Sequence, residues 1–290
     1  MVNKDIIKYQ GTEIIAQEAE ALQDIENIIE KGLPLFKKVS MFGGFGFSVD
    51  SNFSVSALSL YKEKLHSLPN SFVNFANLKN LYLSETNLKV FPETICNLPN
   101  LKFLDISSNN IEQLPKTIGH LENLEVFYTV RNKLKEVPET IGNLKSLKEL
   151  YLYGNKIETL PDSLGRLKNL ETLYLNMNSL TKLSNSFCSL PSLRVLHLDK
   201  NHLTYLPDCI GQLQSLNYLS LWHNNLTEIP NSIGKLKNLE WIVLTQNKLK
   251  TFPDAILQLP NLKYINVDLD QNFKFYDSIC ILSDRGVIIK

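Results

Sequence analysis

The sequence predicts a single α/β solenoid, a stack of short repeats that share one core and lay a parallel β-sheet along the inner side. Three observations carry this expectation. Leucine recurs at Leu78, Leu101, Leu124, Leu147, Leu170, Leu193, Leu216, Leu239 and Leu262, each 23 residues after the last. One period earlier stands Val55, so nine complete units run from Val55 to Asn261 and a partial tenth begins at Leu262. Within each unit, apolar and polar residues alternate as in Leu104 and Ile106 against Phe103, Asp105 and Ser107, which is the pattern of a half-buried strand. Asparagine then holds the ninth position at Asn109, Asn132, Asn155, Asn178, Asn201, Asn224 and Asn247. An amide locked to one register among buried leucines needs backbone partners, so these residues read as a structural ladder.

No unit can bury its apolar face alone, so the strands must stack in parallel and share a continuous core. Pro115, Pro138, Pro161, Pro207 and Pro230 fix the outgoing backbone, and short TIG or SIG segments return along the outer side. Before the repeats, residues 1–54 form a cap. Residues 12–31 place apolar side chains at helical spacing with Gly32 after the last turn, and FGFSVDSNFSVSALSLY reads as two strands around Asp50, Ser51 and Asn52. Residues 55–261 are the repeats. Residues 262–290 hold the partial repeat and a second cap, with the period ending after Asp270, a helix near Tyr276 to Leu282 and a strand from Val287 to Ile289. All three parts make one continuous domain.

The 290 residues are 43% hydrophobic and 21% charged, which sets aside disordered, collagen-like and membrane classes. Thirty basic residues balance thirty acidic ones, so the chain lacks the footprint of a nucleic-acid binder and no nucleic-acid partner is expected. No signal-like stretch and no run of about eighteen apolar residues occurs, so neither membrane insertion nor classical export is expected. Cys96, Cys188, Cys209 and Cys280 lack the clustered spacing of a disulfide framework or zinc site. They read as free thiols in the cytoplasm, with leaderless export left open.

The pattern LxxLxLxxNxLxxLPxxIGxLxx, carried by units such as LKFLDISSNNIEQLPKTIGHLEN at residues 101–123, resembles the 23-residue type of leucine-rich repeat. The resemblance covers about three quarters of the chain. It implies a leucine-rich-repeat solenoid, or horseshoe, with a parallel concave β-sheet, an N-terminal helix-plus-hairpin cap and a short C-terminal cap. It also implies a scaffold that recognises proteins or peptides, often in signalling or host interaction.

Strand alternation turns the third, fifth, seventh and eighth positions of each unit into the concavity. Tyr82, Phe103, Tyr128, Tyr151, Tyr153, Tyr174, His197, Tyr218, Trp222, Trp241 and Tyr264 occupy such positions. Aromatics suit strands for structural reasons. Both tryptophans on a face open to water point instead to an interaction site. The expected contact centre is Tyr128, Arg131, Tyr151, Tyr153, Tyr174, His197 and Trp222, flanked by Tyr82, Phe103, Tyr218 and Trp241. Arg131, Glu149, Asp105 and Asp199 would add polar specificity.

Three departures interrupt the pattern: Thr86 at a ladder position, Thr129 at a core position and Ser184 in place of proline. Thr86 and Ser184 read as drift, whereas Thr129, beside Tyr128 and Arg131, could mark a strand adjusted for binding. His197, Asp199, His202 and His223 cluster on two adjacent units, with Asp199 expected near His223, but lack a third well-placed ligand; no metal site is assigned. No GxxxxGK[ST], GxSxG or HExxH motif occurs, and Cys188 and Cys209 have no histidine partner. Lys145, Arg166, Lys168, Lys235 and Lys237 form a basic outer edge, read as solvated.

The sequence therefore predicts a non-enzymatic scaffold for a protein or peptide, with no cofactor. Alternatives are a small-GTPase signalling adaptor or a host-directed effector, and more remotely a metal-assisted enzyme built on His197, Asp199 and His223.

Overall fold

The computed structural model describes residues 5–36, 44–250, 253–268 and 276–290. It divides into two compact units, residues 1–133 with 143–147, and residues 134–142 with 148–290.

The first unit opens with strands β1 (Ile6–Tyr9) and β2 (Thr12–Ile15), paired antiparallel. Gln10 (φ 50) and Gly11 (φ 84) both take left-handed backbone, as a two-residue hairpin turn demands. Helix α1 (Ala16–Ile29) follows directly. The helix expected over residues 12–31 thus starts later, because Ile14 and Ile15 are drawn into the hairpin by β-branching and by ladder bonds to Ile7 and Ile6. Its end also differs: Glu30, not a glycine, takes the left-handed cap (φ 54), and its N–H donates to the Glu26 carbonyl.

Helix α1 buries Glu18, Ala19, Ala21, Leu22 and Ile25. It lies on the outer segment Asn70–Asn74 of the first repeat, tied to it by Ser71 Oγ donating to Asp24 and Asn74 Nδ2 donating to the Gln17 carbonyl. Glu18, 1% exposed, accepts from Ser54 Oγ and the Val55 N–H, each at 2.6 Å. A carboxylate so placed is tolerated because both bonds reach donors at the mouth of the first repeat strand. Strands β3 (Gly46–Val49) and β4 (Val55–Ser59) form the expected antiparallel hairpin. From β4 the pairing turns parallel through β5 (Asn80–Tyr82), β6 (Phe103–Asp105) and β7 (Val126–Tyr128). Partners such as Ala57, Asn80 and Phe103 lie one period apart.

The second unit continues the same motif. Strands β8 (Glu149–Tyr151), β9 (Thr172–Tyr174), β10 (Val195–His197), β11 (Tyr218–Ser220), β12 (Trp241–Val243) and β13 (Tyr264–Asn266) pair in parallel. Helix α2 (Tyr276–Asp284) and strand β14 (Ile288–Ile289), parallel to β13, close this end. The expected end of the period after Asp270 falls outside the described residues.

Each repeat contributes its first, fourth and sixth residues to the core; Leu193, Leu196 and Leu198 are fully buried, each worth about 1.5–3 kcal/mol. The outer segments, expected only as turns, are one-and-a-half-turn 3-10 helices such as Asp162–Arg166. There the residue in the repeat's glycine slot meets the next repeat: a methyl on Gly165 would overlap the Ser186 carbonyl, and one on Gly211 the Ser232 carbonyl. Lys168 Nζ donates to the carbonyls of Gly165 (2.9 Å) and Ser189 (2.8 Å), and Lys237 Nζ does the same to Gly234 and Gln258. These two members of the basic edge therefore tie adjacent repeats together.

The same column corrects the cysteine expectation. Cys188 stands in the glycine slot and Cys209 in the facing slot of the next repeat, with Cα atoms 5.8 Å apart, and they form a disulfide. They are neither free thiols nor spectators, and the argument they gave for a reducing compartment goes with them. Cys96 occupies the glycine slot two repeats from the cap and remains a buried thiol.

Candidate functional site

The ladder that shapes the strand ends repeats with little variation. Asn201 Oδ1 accepts the Leu180 N–H at 2.9 Å, while its Nδ2 donates to the carbonyls of Leu175 and Leu198 at 3.0 Å. Asn109, Asn132, Asn155, Asn178, Asn224 and Asn247 make equivalent bonds. Thr86 takes part rather than drifting: its hydroxyl lies 2.9 Å from the Leu83 carbonyl and 3.0 Å from Asn109 Oδ1. The residue just before each asparagine is left-handed, as at Met177 (φ 56), Lys200 (φ 51) and His223 (φ 56). This is how the chain leaves each strand and turns the side chain to solvent.

On the strand face of the first unit, Phe103 lies between Tyr82 (ring centroids 4.8 Å) and Tyr128 (5.6 Å). Tyr82 is only 8% exposed, packed with Ala57 beneath Phe103; its place at the edge of a contact surface is thus a supporting one. Burial, with the Asp105 carboxylate, pushes its phenol above the ordinary 10.0. Arg131 is exposed just beyond β7. Thr129 is fully buried, with its hydroxyl 3.3 Å from Asn132 Nδ2. Its side chain belongs to the interior.

In the second unit a continuous column of rings crosses four strands. Tyr151 stacks on Tyr174 (4.9 Å, 27°), Tyr174 on His197 (4.2 Å, 17°) and His197 on Tyr218 (4.7 Å, 30°). Parallel registry aligns Tyr151, Tyr174 and His197 one strand spacing apart, near the separation that offset stacking favours, whereas Tyr218, the register partner of Val195, reaches the His197 ring diagonally. Tyr153 leans on Tyr174 at 6.4 Å, and Trp241, 41% exposed, stacks on Tyr264 at 4.8 Å. Trp222 stands outside the column, with Lys200 Nζ 4.8 Å from its ring centroid. Burial is the main cause that raises the phenols of Tyr174 and Tyr218, joined at Tyr174 by the Glu149 carboxylate.

Polar groups brace the column. Tyr151 donates to Glu149 at 2.7 Å. Asp199 accepts from Ser220 Oγ and from the Trp222 N–H (3.0 Å), and its other oxygen lies 3.2 Å from His197 Nδ1. Asp199 thus reaches the backbone of Trp222, next to His223, while the His223 ring Nδ1 pairs with Gln246 at 2.7 Å. Among the described residues no group of three or more histidine, cysteine or acidic side chains could hold a metal.

The leucine-rich repeat region family model matches residues 53–156 and 147–224, and a leucine rich repeat model matches residues 214–271. The chain belongs to the leucine-rich repeat family. A search of curated proteins returned no match. Among solved structures, a leucine-rich-repeat protein of Leptospira interrogans is similar at 31% identity and TM-score 0.64, over 80% of this leucine-rich-repeat chain and 65% of that one. The ectodomain of the plant membrane receptor kinase GASSHO1/SCHENGEN3 from Arabidopsis thaliana, in complex with CASPARIAN STRIP INTEGRITY FACTOR 2, matches at 30% identity and TM-score 0.69, over 79% and 30% of the chains. The plant peptide hormone receptor RGFR1 in complex with RGF2 matches at 27% and 0.57, over 73% and 39%. This leucine-rich-repeat chain thus spans under two thirds of each. No helix among its described residues is long and apolar enough to cross a membrane.

Sequence reasoning missed Ser220 as a brace for Asp199, and it missed the bond between Cys188 and Cys209. The second was signalled by the repeat phase, since the two residues are 21 positions apart, the same offset that separates Gly165 from Ser186 and Gly211 from Ser232.

Proposed function

We propose that this protein is a binding scaffold that holds a peptide or protein segment against its strand face, with the column Tyr151, Tyr174, His197 and Tyr218 as the central contact of the second unit. The observation that carries this reading is the column itself: four rings, centroids 4.2 to 4.9 Å apart, partly exposed on a face the core does not need. Aromatic rings already stacked lose little conformational freedom on binding, and central aromatic contacts are commonly worth about 2 kcal/mol or more. Two of the similar structures are receptors bound to a named factor or hormone partner, which supports a peptide as the class of ligand. Trp222, Tyr153 and Trp241 extend the contact in the second unit; Phe103, Tyr128 and Arg131 offer a smaller one in the first.

A displayed random peptide library selected on the wild-type protein tests this. Enriched peptides should bind a Tyr151→Ala/Tyr174→Ala double variant at least about tenfold more weakly, while its thermal midpoint stays within a few degrees. Peptides indifferent to the double variant would sink the reading.

The disulfide favours an oxidising working environment for this scaffold, since such bonds persist where thiols are not kept reduced. Mass spectrometry of protein alkylated in cell extract without reductant should find Cys188 and Cys209 unmodified; alkylated Cys188 in freshly lysed cells would refute it.

A further inference from the structure

Beside the ring column, where strands β10 to β12 end, the second unit carries a groove of about 790 Å³. Its walls are Lys200, His202, Trp222, His223, Gln246 and Lys248, and its floor is formed by the ladder asparagines Asn201, Asn224 and Asn247. The wall residues other than Trp222 are exposed. Every ionisable side chain in the lining is basic, in a chain whose overall charge is zero. Two carboxylates that hydrogen-bond to the lining's own backbone are already committed: Asp199 to Ser220, the Trp222 N–H and His197, and Asp268 to the Gln246 N–H at 2.7 Å. The floor amides spend their donors on backbone carbonyls, as at Asn224 with Leu198 and Leu221. Binding power therefore rests with the wall cations and the indole.

We infer that this groove binds an acidic peptide segment, with carboxylates facing Lys200, His223 and Lys248 and a side chain lying on Trp222. The argument is one of charge and spacing. Lys200, at the eighth position of its repeat, and Lys248, at the tenth position two repeats on, are separated by roughly 10 Å in the direction of strand stacking alone, with His223 in the repeat between them. An extended chain advances about 3.3 Å per residue and offers carboxylates over that span together with a side chain for the indole, whereas a lone phosphate or sulfate offers one charged centre and nothing to lie on Trp222. Lys200, held over the Trp222 ring at 4.8 Å, is poised to exchange that contact for a carboxylate and leave the indole free to pack. For the class of partner this rests on the peptide-binding reading above; the test does not.

The probe is an end-blocked hexaglutamate peptide, titrated into the full protein carrying Trp241→Phe, so that Trp222 is the only emitting tryptophan. Hexaglutamate should change Trp222 emission saturably, hexalysine should not, and Lys200→Gln/Lys248→Gln should weaken the response by about tenfold or more. Far-UV circular dichroism and the thermal midpoint of each variant establish that it is folded. The proposal is overturned if no saturable change occurs, if the double glutamine variant responds as the parent does, or if inorganic phosphate at equal concentration gives the same response. Tyr151→Ala/Tyr174→Ala separates the two readings. It should weaken capture of library-selected peptides at least about tenfold and leave the hexaglutamate titration unchanged, so either surface can fail alone.

Discussion

Asn178 shows what one residue does here. Its Oδ1 accepts from Ile157 and its Nδ2 donates to Leu152 and Leu175, all at 3.0 Å. Replacing it with leucine keeps the volume and strands three buried backbone groups, so Asn178→Leu should lose about 2–4 kcal/mol of stability in urea unfolding; a loss below about 1 kcal/mol would mean water takes over those bonds. Titration is a second single-residue matter. The phenols of Tyr82, Tyr174 and Tyr218 are raised above 10.0, and burial pushes the Cys96 thiol up to about 11. These groups stay protonated in the folded chain at pH values where the unfolded chain has lost its protons. The contribution of these groups to stability is therefore fully present at neutral pH and is lost as pH climbs through 9 and past 11. Absorbance at 295 nm should show part of the tyrosine complement ionising only above pH 10.

Elements depend on how their ends are tied. Helix α1 has no side-chain cap of its own, yet Glu18 fastens it to the first repeat strand through Ser54 and Val55. Glu18→Ala should cost about 2–4 kcal/mol by leaving buried donors unpaired, and hydrogen exchange should quicken in α1 and β4 before it does in β9 to β11. Uniform acceleration would show that the cap is not a separate element of stability. On the outer side, the Cys188–Cys209 bond closes a loop of about one repeat, and cross-links of that length contribute about 3 kcal/mol by constraining the unfolded chain. Cys188→Ser/Cys209→Ser should lose most of that, read as a lower urea midpoint, and keep the native circular dichroism spectrum.

At the scale of the whole molecule, phase explains both what was legible and what was not. Period, strand, asparagine slot and the outward set of positions are all local, and each recurs every 23 residues, so the solenoid and the outward placement of the aromatic residues could be read directly, whereas the N-terminal cap, which has no repeat to follow, was legible only in part. Other features depend on pairing between segments. The β1–β2 hairpin lies before the repeats begin, and Tyr82 closed beneath Phe103 and the His223–Gln246 pair join side chains that the repeat pattern treats as independent; the disulfide follows the repeat phase, but only once the contact between neighbouring outer segments is known. A whole-protein thiol count makes this concrete: the denatured, unreduced chain should take up alkylating reagent at Cys96 and Cys280 only, and at four cysteines after reduction. By itself the sequence determined the fold, because burying the same leucine slots in every turn admits one arrangement. Which outward residues stack, brace or face open solvent was decided by the tertiary structure, because that depends on what the neighbouring repeat sets beside each side chain.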